Sequence, residues 1–168
     1  MRPLLSQINY ASFAGSQHPS TTQSLFMNSY VLALDLEGTL ISNAMSQIPR
    51  PGLAEFLTRC AELFPRIVMF TTVKEDRFRK IARLLVEEEV APTWFSDMEY
   101  VAWHGETKDL RFVPGVLPQQ VLLVDDFEKY VHPGQEAQWL QIEHFDYPYS
   151  SADTGLAEML QLLVARVR

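Results

Sequence analysis

Chemically versatile side chains stand directly after, or in the loops between, short apolar runs of this chain. The set that stands out by type and position is Asp35, Glu37, Thr71, Lys108, Asp125 and Asp126. Four carboxylates that share one crevice repel each other, and a divalent cation would offset that repulsion. Oxygen ligands at this density are typical of Mg²⁺, which commonly shares its shell with a substrate phosphate. The residue types therefore indicate a magnesium site suited to phosphate chemistry.

The spacing of these residues also suits covalent catalysis. An aspartate at the end of a strand, such as Asp35, can act as a nucleophile and form an aspartyl-phosphate if a metal and a lysine neutralise the phosphoryl oxygens. A carboxyl two residues later, here Glu37, can protonate the leaving group and then activate water. Thr71 can donate a hydrogen bond to the phosphoryl group, and Lys108 can pair with both the phosphate and Asp35.

The elements that must position these residues follow from the apolar pattern. Short aliphatic runs predict parallel strands at residues 31–34, 67–70 and 121–124, with a further strand around residues 140–142. Apolar residues at helical spacing predict helices over residues 53–63, 78–85 and 156–163, and Thr72 is expected to cap the second of them. This alternation predicts an α/β fold, a doubly wound, Rossmann-like parallel sheet sandwiched by helices. The carboxyl ends of its strands share one edge, where ligands bind.

Composition and charge exclude several functional classes. The chain has 168 residues, 47% of them apolar, and a formal net charge of −7. An acidic balance disfavours nucleic-acid binding and anionic membrane surfaces. No apolar run approaches the roughly 20 residues that cross a bilayer. The single cysteine, Cys60, excludes an intrachain disulfide and is compatible with a reducing compartment, so we expect a soluble, cytoplasmic protein.

Charge also divides the chain into two parts. Residues 1–34 contain no acidic residue, and Arg2 is their one base. Most of residues 1–29 shows no clean helical or strand period, so we expect a loosely ordered leader there. Residues 30–168 form the expected catalytic domain.

Two sequence patterns have competing interpretations. Cys60 and Arg66 have the Cys-x₅-Arg spacing of cysteine-based phosphatases, but Cys60 lies on the apolar stripe of a predicted helix, which favours a buried core cysteine. His104, His132 and His144 show no metal-ligand spacing, so we expect them to be surface or structural histidines.

The ordered motifs carry a family resemblance. The order Asp-x-acid-Gly-Thr-Leu, strand-Thr, Lys, strand-Asp-Asp resembles the haloacid dehalogenase (HAD) superfamily of phosphotransferases. Residues 50–57, 67–72, 108–110 and 121–133 narrow the resemblance to the NLI-interacting-factor-like branch. That branch includes phosphatases that act on the C-terminal domain of RNA polymerase II.

The resemblance implies a role for each candidate residue. Asp35 would be the nucleophile and a metal ligand, and Glu37 would take the acid/base position with its backbone carbonyl on the metal. Thr71 and Lys108 would bind phosphate. Asp125 and Asp126 would hold Mg²⁺ or its waters. The implied function is a Mg²⁺-dependent phosphatase that hydrolyses a phosphomonoester, either a phosphoprotein or a small phosphometabolite.

Two departures from the family pattern leave alternatives open. The family has aspartate where this chain has Glu37, whose side chain is one methylene longer. Only nine residues separate Leu40 from Arg50, too few for the β-insertion of the polymerase-tail phosphatases, and the other spacings leave no room for a cap domain. The alternatives are a catalytically weak or inactive interaction module, or a phosphotransferase. An open, capless site also leaves room for a homo-oligomer in which a partner subunit covers it.

Overall fold

The computed structural model describes residues 29–168, and within them one parallel sheet of five strands. The strands are β1 (Val31–Leu34), β2 (Arg66–Met69), β3 (Glu99–Tyr100), β4 (Val121–Asp125) and β5 (Trp139–Gln141), in the spatial order β3-β2-β1-β4-β5. All but β3 were predicted to within one residue at either end. The leader predicted at residues 1–29 lies outside the described residues, apart from Ser29.

The helices are α1 (Leu53–Leu63), α2 (Glu75–Glu87) and α3 (Gly155–Val167). Short 3₁₀ helices occupy Thr93–Asp97, Leu110–Phe112, Pro118–Gln120, Glu128–Tyr130 and Glu136–Gln138. The parallel α/β fold is thus confirmed. The cap expected at Thr72 is wrong, because α2 begins at Glu75 and Lys74 occupies its N-cap position.

The two faces of the sheet are covered differently. Leu32 and Leu34 pack into a core with the apolar residues of all three α-helices, whereas Val31 and Ala33 pack against residues of the β3–β4 connection. Right-handed crossovers put α1 and α2 on one face, and the chain then reverses direction across the sheet, so the later connections lie on the other face. Those connections form 3₁₀ turns instead of α-helices because several residues disfavour a continuous helix there: Pro114, Gly115, Pro118, Pro133 and Gly134.

The central strand fixes the position of the site. β1 is fully buried and pairs with β2 on one side and β4 on the other, with Leu32 opposite both Ile67 and Leu122. Just beyond the strand, the Asp35 N–H donates to the Val124 carbonyl at 3.0 Å, so pairing continues into the first acidic residue. The ends of three neighbouring strands therefore stand side by side.

The connection between β1 and α1 is short. Residues 41–49 form a loop that is closed by an isolated bridge between Ile41 and Pro49 and by a 2.9 Å hydrogen bond from the Ser42 N–H to the Ile48 carbonyl. Within residues 29–168 no connection folds into a separate cap, so the sheet edge stays open. None of the helices in that range combines the length and hydropathy that a membrane-spanning helix needs.

Candidate active site

Three carboxylates meet at the carboxyl edge of the sheet. Asp35 follows β1, Asp125 is the last residue of β4, and Asp126 comes next along the chain. Oxygen atoms of these three side chains all lie within 4.8 Å of one another. The structure thus brings together three of the four acids that the sequence placed in one crevice.

Lys108 lies between two of these acids. Its Nζ donates to Asp35 Oδ1 at 2.6 Å and to Asp125 Oδ2, and its side chain is completely buried. Burial by itself lowers the pKa of Lys108, but the charges of Asp35 and Asp125 outweigh that effect and leave the pKa raised. Lys108 is therefore a fixed ammonium at the centre of the site.

Both carboxylate oxygens of Asp125 accept hydrogen bonds from neighbouring residues. Its Oδ1 accepts the Phe127 N–H at 2.9 Å, and its Oδ2 accepts from Lys108. Burial and the nearby charge of Asp35 raise the pKa of Asp125 to about 6, against the lowering effect of Lys108. Asp35 and Asp125 thus share one lysine.

A second network fixes the backbone around Lys108. The Lys108 N–H donates to the Tyr130 carbonyl at 2.7 Å, which ties the lysine loop to the segment after β4. The neighbouring Asp109 carboxylate accepts from Gln135 at 2.8 Å and from Arg111, whose hydrogen bond lowers the pKa of Asp109 strongly against the opposing effect of burial. His132 lies in this support network, with Nδ1 2.8 Å from Thr107 Oγ1. The expected structural role of His132 agrees with this position.

Asp126 faces the cavity and is held from two sides. Thr39, which is fully buried, places its Oγ1 3.2 Å from Asp126 Oδ1 and 3.3 Å from Asp35 Oδ2. On the other side, His144 Nδ1 lies 2.5 Å from Asp126 Oδ2. Sequence reasoning missed His144, although it closely follows the predicted strand at residues 140–142, at the edge where all the other candidates lie.

Glu37 and Thr71 take more peripheral positions. Glu37 lines the cavity but lies outside the cluster of three carboxylates, and its Oε1 accepts the Ala44 N–H at 2.5 Å. Thr71 is fully buried, and its Oγ1 accepts the Val73 N–H at 3.3 Å. The neighbouring Thr72 lines the cavity instead. The acid/base role of Glu37 and the phosphate-binding role of Thr71 stay predictions.

The cavity at this edge has a volume of about 400 Å³. Its lining includes the polar side chains of Asp35, Asp126 and His144 and the aromatic rings of Phe127 and Tyr130. The two rings meet edge to face with centroids 5.0 Å apart, and Phe127 is 44% exposed.

The charge and donor set of the site fit a hard divalent cation. Three carboxylates face one ammonium, so two negative charges are left when all three are ionised. Asp35 and Asp126 line the cavity and Asp125 does not, so Asp35 and Asp126 are the side chains best placed to bind Mg²⁺ directly.

Buried Cys60 carries no comparable chemistry. It lies on the buried face of α1, and burial raises the pKa of its thiol to about 12. A nucleophilic cysteine needs a lowered pKa and access to substrate. The interpretation of Cys60 as a core residue is confirmed.

A family comparison agrees with this site. The sequence model for the NLI interacting factor-like phosphatases matches residues 30–167. The chain belongs to that family. The resemblance drawn from the ordered motifs is thereby confirmed.

A solved structure shows a similar fold. It is that of a variant of the fission yeast RNA polymerase II CTD phosphatase Fcp1 bound to beryllium fluoride. The TM-score is 0.50 at 14% sequence identity, and the match covers 83% of the present chain. The present chain spans about half of that longer one, 51% of its length. No curated protein matches the sequence.

Proposed function

We propose that this protein is a Mg²⁺-dependent phosphatase that hydrolyses a phosphomonoester through an aspartyl-phosphate on Asp35. The observation that carries the proposal is the set of contacts made by this carboxylate. Lys108 Nζ lies 2.6 Å from Oδ1, Thr39 Oγ1 lies 3.3 Å from Oδ2, and the side chain borders the cavity. A nucleophile held in one orientation beside a fixed cation is what attack on a phosphate dianion requires.

Residues of the chain account for each proton and bond in the first step. An Asp35 oxygen forms a bond to phosphorus while the bond from phosphorus to the leaving oxygen breaks. Glu37, protonated at the start, gives its proton to that oxygen, so an alcohol leaves. Lys108 and the Thr71 hydroxyl stabilise the charge on the phosphoryl oxygens.

The second step returns the enzyme to its starting state. Glu37, now a carboxylate, takes a proton from a water whose oxygen attacks phosphorus, and the bond from phosphorus to Asp35 breaks to release phosphate. Mg²⁺, held by Asp35, Asp126 and the Glu37 carbonyl with Asp125 beside it, would supply charge neutralisation at the phosphoryl oxygens. The three converging carboxylates support that requirement for a cation.

One contact favours a second candidate, a catalytically weak enzyme or interaction module. Glu37 Oε1 already accepts the Ala44 N–H, so the carboxyl must keep or exchange that bond while it transfers a proton. Shortening the side chain in Glu37→Asp would release the bond to Ala44. A rise in turnover would indicate an attenuated phosphatase, whereas an unchanged, negligible turnover without Mg²⁺ affinity would favour an interaction module.

The substrate and partner are proposed at the level of chemistry. The open cavity admits a phosphorylated protein side chain or a small phosphometabolite, and transfer to an alcohol in place of water would make the protein a phosphotransferase. The loop of residues 41–49 is too short to carry a substrate-binding insertion, so we do not transfer the polymerase substrate of Fcp1. We also propose a cytoplasmic location, where a free thiol such as Cys60 stays reduced.

Phosphate release by the purified full-length protein tests the proposal. We expect hydrolysis of an aryl phosphate with Mg²⁺, loss of hydrolysis with EDTA, and no turnover by Asp35→Asn. The matched control is Asp97→Asn, an exposed aspartate in the 3₁₀ helix Thr93–Asp97. Full activity without a divalent cation would exclude the metal requirement, and full activity of Asp35→Asn would exclude the aspartyl-phosphate.

A panel of phosphopeptides and phosphometabolites then defines the substrate class. Product analysis with added alcohols separates hydrolysis from transfer, because only a phosphotransferase forms the new phosphate ester. Equal rates for phosphopeptides and phosphometabolites would contradict the idea that the site recognises more of the substrate than its phosphoryl group.

A further inference from the structure

His144 makes the one polar side-chain contact to the outer oxygen of Asp126 within the part of the chain that the structure describes. We infer that His144 is a positioning residue that holds Asp126 in the orientation needed to bind Mg²⁺. The inference rests on the proposed function, because it takes Asp126 as a ligand of that cation. It concerns a residue on the segment after β5, outside the ordered motifs that mark the family.

The contact has a defined direction. An ionised carboxylate only accepts hydrogen bonds, so the 2.5 Å distance from His144 Nδ1 to Asp126 Oδ2 requires a proton on Nδ1. Thr39 Oγ1, which has one proton for Asp35 Oδ2 at 3.3 Å and Asp126 Oδ1 at 3.2 Å, uses at most one lone pair of the other oxygen, Oδ1. With at most one lone pair used on each oxygen, each oxygen keeps another for a cation. These hydrogen bonds therefore orient Asp126 and still leave lone pairs on its oxygens for a cation.

The backbone that carries His144 is fixed on both sides. Buried Arg50 donates to the Glu143 carbonyl at 2.8 Å, and the Phe145 N–H donates to the Gly38 carbonyl at 2.8 Å. Arg50 is itself anchored by Asp153, with Nε 2.7 Å from Oδ1. These bonds join the segment after β5 to the loop that follows the nucleophile. His144 is consequently held in place although its own side chain is 55% exposed.

Gly38 makes the approach of the imidazole sterically feasible. Its φ of 74° is a left-handed conformation, and a Cβ built on it would collide with His144 Nδ1 and lie 2.6 Å from Asp126 Oδ2. The space that any other residue would fill is the space through which the histidine reaches the aspartate. The contact between His144 and Asp126 thus depends on the glycine at position 38.

Hydrogen bonds from outer residues to metal-binding side chains orient them and affect metal affinity. Loss of such a partner typically weakens metal binding about 10–100-fold. Removing His144 would leave Asp126 held by Thr39 alone, so part of the binding free energy would go into ordering it. We expect the loss of His144 to weaken Mg²⁺ binding rather than to slow the chemical step at saturating Mg²⁺.

Calorimetric titration of the full-length protein with Mg²⁺ tests the inference. For His144→Ala we expect a Kd for Mg²⁺ about 10–100-fold above that of the wild type. His144→Asn places an amide N–H the same number of bonds from the backbone as Nδ1 and should recover most of the affinity. His144→Gln places it one bond further out and should not. His104→Ala, which removes an exposed histidine packed on Phe112, is the control for histidine loss.

Two further readouts separate positioning from general damage. Thermal unfolding without Mg²⁺ should be unchanged in His144→Ala, and phosphatase activity should approach the wild-type kcat once Mg²⁺ is raised in proportion to the new Kd. Unchanged or tighter Mg²⁺ binding in His144→Ala would overturn the inference and leave the proposed function standing. If the wild type binds no Mg²⁺, the proposed metal dependence and this inference fail together, and the titration distinguishes the two results.

Discussion

Lys108 offers the strongest test of how the candidate active site is held together. Its ammonium lies between Asp35 and Asp125, and all three side chains are buried. Lys108→Met keeps most of the length and apolar volume of the side chain but removes the charge. Two carboxylates would then face each other in a low-dielectric site with no cation between them. We expect a large loss of stability in the absence of Mg²⁺.

The size of that loss follows from the geometry. Removing one partner of a buried ion pair costs about 3–5 kcal/mol, because the remaining charge is left unpaired. Asp125 can relieve the repulsion by taking a proton. Its pKa is raised from 3.8 to about 6 even with Lys108 present, through burial and the charge of Asp35, and it should rise further without Lys108. The expected cost is therefore greatest at about pH 8 and smaller at about pH 5.

The sign of the pH dependence is fixed by this shift. A carboxyl whose pKa is higher in the folded than in the unfolded state gives stability at low pH that is lost as pH rises through the folded value. The free energy of unfolding of Lys108→Met should thus fall by up to about 1.4 kcal/mol per pH unit between about pH 5 and pH 8. The wild type, with its ammonium in place, should show a smaller slope over that range.

Urea unfolding of both proteins in EDTA at several pH values measures the effect. Lys80→Met, at an exposed position of α2, is the matched control. In the double variant that adds Asp125→Asn, the introduced amide oxygen can still accept from Phe127 while the charge is gone, so part of the stability should return and the slope should disappear. A loss below about 1 kcal/mol, or a double variant no more stable than Lys108→Met, would refute the reasoning.

Three further outcomes are expected elsewhere in the fold. Asp153→Asn should cost about 1.5–3 kcal/mol near neutral pH in urea unfolding, because it weakens the contacts to buried Arg50. Burial raises the pKa of Asp153, but the bonds from Arg50 outweigh it and lower the pKa, so its contribution is present above the ordinary value of 3.8 and should vanish as pH falls below it. Cys60 should resist thiol reagents in the native protein and react only after denaturation, as mass spectrometry would show. Gly38→Ala should cost about 1–2 kcal/mol through its positive φ and weaken Mg²⁺ binding in calorimetry, because the new Cβ displaces His144.

Much of the fold could be predicted because buried parallel strands read as continuous aliphatic runs. β1 matches its predicted residues 31–34, since all four of its side chains are buried between two covered faces. β3 was missed because it is an edge strand of two residues, Glu99–Tyr100, with no apolar run to mark it. α2 begins earlier than its apolar stripe because its first turn, with Glu75 and Asp76, is exposed and acidic, which suits a helix N-terminus.

The candidate site was predictable where it depends on the ends of parallel strands lying at one edge of the sheet. It was not predictable where it depends on contacts between side chains of different loops. The shared edge of parallel strands was enough to bring Asp35, Asp125 and Asp126 together. Their different roles were not readable, because adjacent residues at a strand end point to opposite sides. Asp125 turns inward to Lys108, while Asp126 faces the cavity. The partner of Asp126, His144, comes from another strand end with no local spacing to reveal it.

Glu37 shows how a departure in sequence can be absorbed by local structure. Its extra methylene is one of the two departures that left a catalytically weak or inactive protein open. In the structure the longer side chain reaches the Ala44 N–H in the loop of residues 41–49, which itself is closed between Ile41 and Pro49. An aspartate would be too short to make that bond from the same backbone position. The glutamate therefore ties the segment after Asp35 to the loop of residues 41–49, so we expect a change at Glu37 to alter the shape of the cavity rim as well as the proposed proton transfer.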